Sequence, residues 1–354
     1  MRAFFACGGT GGHIYPAIAV AEVMKEKYGA EPVFGGSDTG MEGGIIRKHG
    51  YEFYALAARP LIRRPDIRNI CNMLANMKSF FDALSIIGRL KPDIVIGTGG
   101  FVSFPFVLAA SVSGVKTLIH EPNVAPGLAN RLLSPFVSRI TTGFKETADG
   151  FATGRAEATG NPVRRAVEKA YSRRKKASRT LLVMPGSRAA EKINRVMAEA
   201  MPRLAREIKG LRVIWMSGKA GFKGAKSAAR GFKEVKVVEY VHDAAAAYAA
   251  CGVALLRAGA STLSEVAATG TAAILVPYPH AAGGHQEKNA LMFARKKAAI
   301  VIRDAELDAK TLVEAVSRAM KRKVNAELGK NARKLHVAGG AEKIAAIAVK
   351  EAGK

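Results

Sequence analysis

Short apolar runs, glycine turns and amphipathic stretches follow one another along this chain, and the pattern is played twice. Ala3–Cys7 is apolar and is followed by Gly8-Gly9-Thr10-Gly11-Gly12, then by helical spacing from about Tyr15 to Tyr28. This predicts a strand, a tight turn and a helix, with Pro16 near the first helical turn, where its missing N–H costs little. Pro32–Gly35 reads as a second strand and Met41–His49 as a short helix. Ile70–Leu90 reads as one long amphipathic helix, and Asp93–Gly97, Thr117–His120 and Arg139–Thr142 as further strands. A break follows at Gly160-Asn161-Pro162-Val163-Arg164-Arg165, and Lys169–Arg179 is strongly basic. The pattern then restarts with a Thr180–Met184 strand, a Pro185-Gly186-Ser187 turn and a helix from about Ala190. Leu211–Met216, Val235–Tyr240, Val253–Leu256 and Ala273–Val276 complete the strands. Alternating βα units imply α/β architecture with doubly wound parallel sheets. The restart predicts two domains, 1–160 and 161–337, facing a cleft, with a C-terminal helix within about 338–354 packing back on the first.

Length agrees, since 354 residues at roughly 100–200 per domain give two. Hydrophobic residues at 49% and charged residues at 24% exclude wholesale disorder, collagen-like repeats and coiled-coil rods. The net charge of +26 is uneven: 17 basic and 13 acidic residues in 1–160 give +4, and 38 against 16 in 161–354 give +22. Such a field favours an anionic partner. Nucleic acid is not expected, because aromatics are only 7% and are not interleaved with the basic residues. Three cysteines without ligand spacing argue against a disulfide framework and a structural metal site. No export signal is visible, so the cytosol is the expected compartment. Residues 94–115 carry no charge and are long enough to span a bilayer, but Gly97, Gly99, Gly100 and Pro105 make them read as strand, turn and buried helix.

Four glycine turns follow strands, at 8–12, 97–100, 185–187 and 257–260. Glycine lets a backbone approach a ligand, and the next helix start offers N–H groups to an anion. None has the spacing of a dinucleotide fingerprint or a P-loop, which disfavours a nicotinamide dehydrogenase and a P-loop NTPase. The fourth turn is the sharpest. It reads Arg257-Ala258-Gly259-Ala260-Ser261-Thr262-Leu263-Ser264-Glu265. Small residues permit close approach and hydroxyls supply hydrogen bonds. An early carboxylate, Glu265, suits the vicinal hydroxyls of a ribose, and Arg257 suits a diphosphate.

Taken in order, GGTGGHIYPAIAVAEVM, GTGGFVSFPFVLAA, HEPNVAPGLANRLL, GNPVRR, RAGASTLSE and HQEKNA resemble the MurG family over nearly the whole chain. The resemblance implies two Rossmann-like domains of glycosyltransferase-B architecture. It also implies inverting transfer of N-acetylglucosamine from UDP-GlcNAc to the muramyl C4 hydroxyl of lipid I, giving lipid II at the cytoplasmic face of the membrane, with no tightly bound cofactor or metal. Thr10, Gly11 and Gly12 would then lie against the reaction centre. Asn123 and Gln286 match sugar-contacting positions, and Arg164, Ser187, Arg257 and Glu265 match nucleotide-site positions. Val241 falls where the family packs against uracil. Two segments depart from the family pattern: PGSRAAEKIN stands where GGSQGA is usual and looks more like lipid-A-disaccharide synthase, and the PHAAGG before HQEKNA is glycine-rich and longer than usual. A UDP-GlcNAc 2-epimerase is a rival of the same architecture.

Inverting transfer needs a base for the acceptor hydroxyl. His13 is the first candidate, since it follows the glycine loop and has an ordinary pKa near 6.5. His120 and Glu121 are weaker candidates. A polyprenyl-linked acceptor requires contact with an anionic membrane surface, and with no spanning helix the contact is peripheral. Arg59, Arg63, Arg64 and Arg68 precede Ile70, Met73, Leu74, Met77, Phe80, Phe81 and Leu84, which recur at helical spacing. Arg63, Arg64, Phe80 and Phe81 are the expected contacts.

Overall fold

The computed structural model describes residues 1–60, 66–173, 178–186 and 191–354. It divides into two compact units, Met1–Pro162 with Gly339–Lys354, and Val163–Ala338.

In the first unit the strands are β1 (Arg2–Cys7), β2 (Glu31–Ser37), β3 (Glu52–Leu56), β4 (Ile94–Gly99), β5 (Lys116–Glu121), β6 (Arg139–Thr142) and β7 (Ala156–Ala158). They form a parallel sheet in the order β3-β2-β1-β4-β5-β6-β7. Both faces are covered, so strand residues are apolar on both sides of the pleat. Phe5 and Cys7 join the cluster under the helix Gly11–Tyr28, while Phe4 and Ala6 point to the opposite cluster. Phe5 stacks on Phe34 at 5.1 Å and Phe4 meets Phe106 at 4.8 Å. The C-terminal helix Gly340–Glu351 belongs to this unit, and its Ile344, Ala345 and Ala348 complete the cluster around Ile14 and Ile18.

In the second unit the strands are β8 (Thr180–Met184), β9 (Arg212–Met216), β10 (Val235–Val238), β11 (Val253–Leu256), β12 (Ala272–Leu275) and β13 (Ala299–Val301). Their order is β10-β9-β8-β11-β12-β13, again parallel. Leu181, Val183, Trp215 and Leu255 pack against the helices Glu191–Glu207 and Ala309–Met320.

Two expectations about the first helix change. It begins at Gly11, with Thr10 as its cap residue, because the N–H groups of His13 and Ile14 both return to the Thr10 carbonyl, at 3.1 and 3.3 Å. His13 therefore sits in the first turn. Pro16 lies in the second, where it denies the Gly12 carbonyl its usual helical donor. The strands β3, β7 and β13, which are short or weakly apolar, left no clear pattern in the sequence.

Candidate functional site

Counted within each unit, the first six strands of the two sheets share one order, and each sheet reverses direction between its first and fourth strands. Open α/β sheets bind ligands beyond the carboxyl ends of the strands at such a switch point. The turns at 8–12, 185–187 and 257–260 follow β1, β8 and β11, whereas the strand expected to stop at Gly97 runs on, so Gly97 and Gly99 belong to the end of β4 and only Gly100 lies beyond it. These glycines therefore mark both switch points.

In the first unit His13 is held at both ends by Thr98. Its Nδ1 lies 2.9 Å from the Thr98 carbonyl, and the Thr98 hydroxyl donates to the His13 carbonyl at 2.8 Å. A ring nitrogen facing a carbonyl must carry the proton, so a neutral His13 has its lone pair on Nε2. The imidazole lies against Gly99, where a Cβ would come within 2.6 Å of Nδ1, and Gly99 has φ +105°. Gly100, at φ +88°, sits so close to the Gly8 carbonyl that a Cβ there would overlap it. The turns after β1 and β4 are thus packed directly on each other.

His120 and Glu121 are buried and serve the scaffold instead of offering a base. His120 Nε2 is 2.8 Å from Asn161 Oδ1 and Nδ1 is 3.1 Å from the Thr141 hydroxyl. Burial lowers its pKa to about 4, against the opposing effect of the Asn161 hydrogen bond. Glu121 Oε1 accepts from the Asn123 N–H at 3.0 Å and from Asn123 Nδ2 at 3.1 Å. Its Oε2 accepts from the Gly127 N–H at 2.9 Å and from Asn130 Nδ2 at 2.8 Å. One carboxylate thereby sets the shape of the segment 122–127 and fixes the Asn123 side chain.

In the second unit the structure joins Arg164 and Glu265, 101 positions apart in sequence, at 3.1 Å. Glu265 lies in the second turn of the helix Ala260–Thr269. Burial pushes its carboxyl pKa up, opposed by Arg164 and by the nearby Tyr248 hydroxyl. Ala260, Ser261 and Thr262 form the first turn of this helix. Leu263 points into the core, and the buried Ser264 hydroxyl donates to the Ala260 carbonyl at 2.9 Å, so these two side chains serve the helix itself. Arg257, expected at the diphosphate, serves the scaffold instead. Its guanidinium is buried, 2.6 Å from Asp304 Oδ1 and 3.2 Å from the Val276 carbonyl, so it is engaged inside the fold. Lys192 reaches the same carboxylate at 3.5 Å. Gln286 Oε1 accepts the N–H groups of Ala258 and Tyr278, at 3.2 and 3.0 Å, which leaves its amide NH₂ as the face it can present to a ligand. Val241 is half-buried just before Asp243, which caps the helix Ala244–Ala250. Ser187 lies outside the described residues.

The helix Arg68–Leu90 separates its apolar residues into two faces. Ser79, Ala83 and Ile87 are buried, with Phe80 and Leu84 packed beside them. Ile70, Met73, Leu74, Met77 and Phe81 are exposed, Phe81 at 62%. Phe80 thus leaves the expected membrane contact and Phe81 stays, because neighbours on a helix point about 100° apart. Arg59 pairs with Asp38 at 2.7 Å and Arg68 with Asp66 at 2.6 Å, which spends part of the expected positive field. Arg63 and Arg64 lie outside the described residues. Among the described residues no helix is long and apolar enough to cross a membrane.

Sequence reasoning missed Glu42, Asp304 and Asn289. A buried carboxylate such as Glu42 or Asp304 leaves no periodic signal. Asn289 did leave one, since it stands three residues after Gln286 and so shares its helix face. Its Nδ2 donates to the Ala258 carbonyl at 3.1 Å, so Gln286 and Asn289 hold the Ala258 residue by its N–H and its carbonyl.

Comparison with known proteins matches this arrangement. Residues 3–142 match the glycosyltransferase family 28 N-terminal domain and residues 180–349 the glycosyltransferase family 28 C-terminal domain. A UDP-N-acetylglucosamine–N-acetylmuramyl-(pentapeptide) pyrophosphoryl-undecaprenol N-acetylglucosamine transferase from Halothermothrix orenii is 38% identical over 333 residues, 89% of each chain. One of the same name from Desulforudis audaxviator is 40% identical over 335 residues, covering 90% of this chain and 89% of the relative. The crystal structure of MurG from Acinetobacter baumannii superposes with a TM-score of 0.81 at 25% identity, covering 99% of both chains. The two switch points, the segments around them and these relatives lead to one conclusion: the chain is a glycosyltransferase of family 28 and belongs to its MurG family of N-acetylglucosamine transferases.

Proposed function

We propose that this chain moves N-acetylglucosamine from UDP-GlcNAc to the C4 hydroxyl of the muramyl sugar of lipid I, with inversion and with no tightly bound cofactor or metal, at the cytoplasmic face of the membrane. The supporting observation is His13, whose Nδ1 is tied to the Thr98 carbonyl so that Nε2 carries the lone pair. In this reading Nε2 takes the proton of the acceptor hydroxyl. The acceptor oxygen then displaces UDP at the anomeric carbon in one step, through an oxocarbenium-like state. Charge developing on the departing diphosphate is met by the helix start at Ala260–Thr262 and by Arg164. Glu265 exchanges Arg164 for the ribose hydroxyls, Gln286 and Asn123 contact the sugar, and Val241 lies against uracil. Arg257 acts indirectly, by holding the turn through Asp304.

The deciding experiment is incubation with labelled UDP-GlcNAc and a lipid I analogue. A disaccharide product is expected; conversion of UDP-GlcNAc to its 2-epimer without acceptor would replace this reading with an isomerase. Glu265→Gln should weaken UDP binding by roughly 1–3 kcal/mol. Calorimetry showing unchanged affinity would remove Glu265 from the site.

The membrane contact rests on the exposed stripe Ile70, Met73, Leu74, Met77 and Phe81. An apolar face of this kind suits a bilayer surface, where it enters the acyl boundary from the side. Met77→Glu with Phe81→Glu should abolish flotation with anionic liposomes and cut turnover on a lipid acceptor, yet spare a short soluble acceptor. Equal losses on both acceptors would count against the contact.

A further inference from the structure

Glu42 is a fully buried carboxylate in the first unit. Its Oε1 accepts the Ser37 N–H at 2.8 Å and its Oε2 the Gly9 N–H at 3.4 Å. Among the described residues its partners are backbone N–H groups and no cation. Burying a carboxylate without a counter-charge is costly, so a fold that keeps one must use its geometry. Three glycines surround it. A Cβ at Gly8 or Gly40 would overlap its oxygens, and one at Gly36 would lie 2.6 Å from its Cγ. Glu42 therefore fills the space under the turn after β1 and pins it by its backbone.

The packing continues from there to His13. The Gly8 carbonyl abuts Gly100, the neighbouring Gly99 abuts the imidazole, and Thr98 fixes both the ring and the backbone of His13. We infer that Glu42 is a positioning residue for the transfer reaction: its carboxylate holds the Gly8–Gly9 backbone where the turn after β4 and the His13 ring close against it. This rests on the reading that His13 serves the acceptor. Asp or Gln is not equivalent. Gln offers one acceptor oxygen and an NH₂ that faces an N–H, and Asp is one methylene too short to reach both donors.

The test is Glu42→Gln in the full chain, read in two ways. Amide hydrogen exchange at 8–14 should accelerate about tenfold while that at Thr180–Met184 stays unchanged. Turnover should fall about ten- to a hundredfold, with KM for UDP-GlcNAc within about twofold of the parent, as expected when a reacting group is misplaced but the donor site is intact. If Glu42→Gln also loses UDP affinity it has misfolded, and Glu42→Asp, which keeps the charge, is read in its place. Unchanged exchange at 8–14 in the folded variant overturns the inference whatever the turnover. Parent protein that forms no product from UDP-GlcNAc and lipid I overturns the transfer reading instead, and the exchange result still stands on its own.

Discussion

Gly99 and Gly100 of the first unit and Gly259 of the second lie at the carboxyl end of the equivalent strand, yet their surroundings differ. At Gly99 and Gly100 φ is positive and a Cβ would strike His13 or the Gly8 carbonyl. At Gly259 φ is −68°, and the nearest atom to a Cβ is Thr262 Oγ1 at 3.8 Å. Gly186 has a positive φ of +80° too, but among the described residues nothing lies within 4 Å of a Cβ there. The turn containing Gly259 is shaped from behind, by Gln286 and Asn289 on Ala258 and by the Arg257–Asp304 pair. One residue type thus meets two physical needs. In the first unit glycine closes the packing around a histidine, whereas in the second it leaves space above a helix start.

The largest expected effect breaks the closed turns. Gly100→Ala should cost roughly 3–5 kcal/mol, from a strained positive φ and an overlap with backbone that cannot move aside cheaply. Chemical denaturation measures it, and a loss under about 1 kcal/mol would mean the two turns are not rigidly packed. His13→Ala should lower turnover by about two to four orders of magnitude. UDP affinity, which the proposed reading assigns to the second unit, should hold. Turnover within a few-fold of the parent would make His13 structural.

The units should also differ in their response to acid. His120 has a folded pKa lowered to about 4 from 6.5. Its contribution is present above pH 6.5 and is lost as the pH falls toward 4, about 3 kcal/mol over the window. Glu265 is shifted the other way, so its burial costs stability as the pH rises from 4.5 through its raised folded value. The opening free energies of the strands of each unit, from exchange corrected for the intrinsic rate at each pH between 4 and 7, should therefore give slopes of opposite sign, and His120→Gln should flatten only the first. A common slope unaffected by that substitution would refute the assignment. The smallest effect on the fold comes from Gly259→Ala, which should change stability by no more than about 0.5 kcal/mol while weakening UDP binding. Unaltered UDP affinity would show that the space beside Gly259 is not the ligand's.

Much of this site was legible before any coordinates. Apolar runs such as Thr180–Met184 and Val253–Leu256 must be buried on both faces of a parallel sheet, so they stand out as blocks. Strand-terminal glycines then marked both switch points, and the family segments placed Arg164 and Glu265 in one site although 101 positions separate them. Boundaries were less legible. The first helix gains a turn because Thr10 accepts two N–H groups, which glycine-rich sequence does not announce. Phe80 and Phe81 are chemically alike, and only the rotation of their helix sends one to the core and the other to solvent.

Local chemistry, then, determined by itself most of the strands, the turns and the residue types suited to a phosphate, a ribose or a proton, since these depend on period and side-chain identity. Which charges remain for a ligand was decided only by tertiary structure. Arg257 and Arg164 look equivalent as residues, but Asp304 arrives from 47 positions away to bury the first, while the second stays at the surface beside Glu265. Glu42 gave no signal at all, and its role exists only because Ser37, Gly9 and three glycines converge on it. An ion pair or a buried carboxylate is set by distance and desolvation, and both are properties of the packed chain.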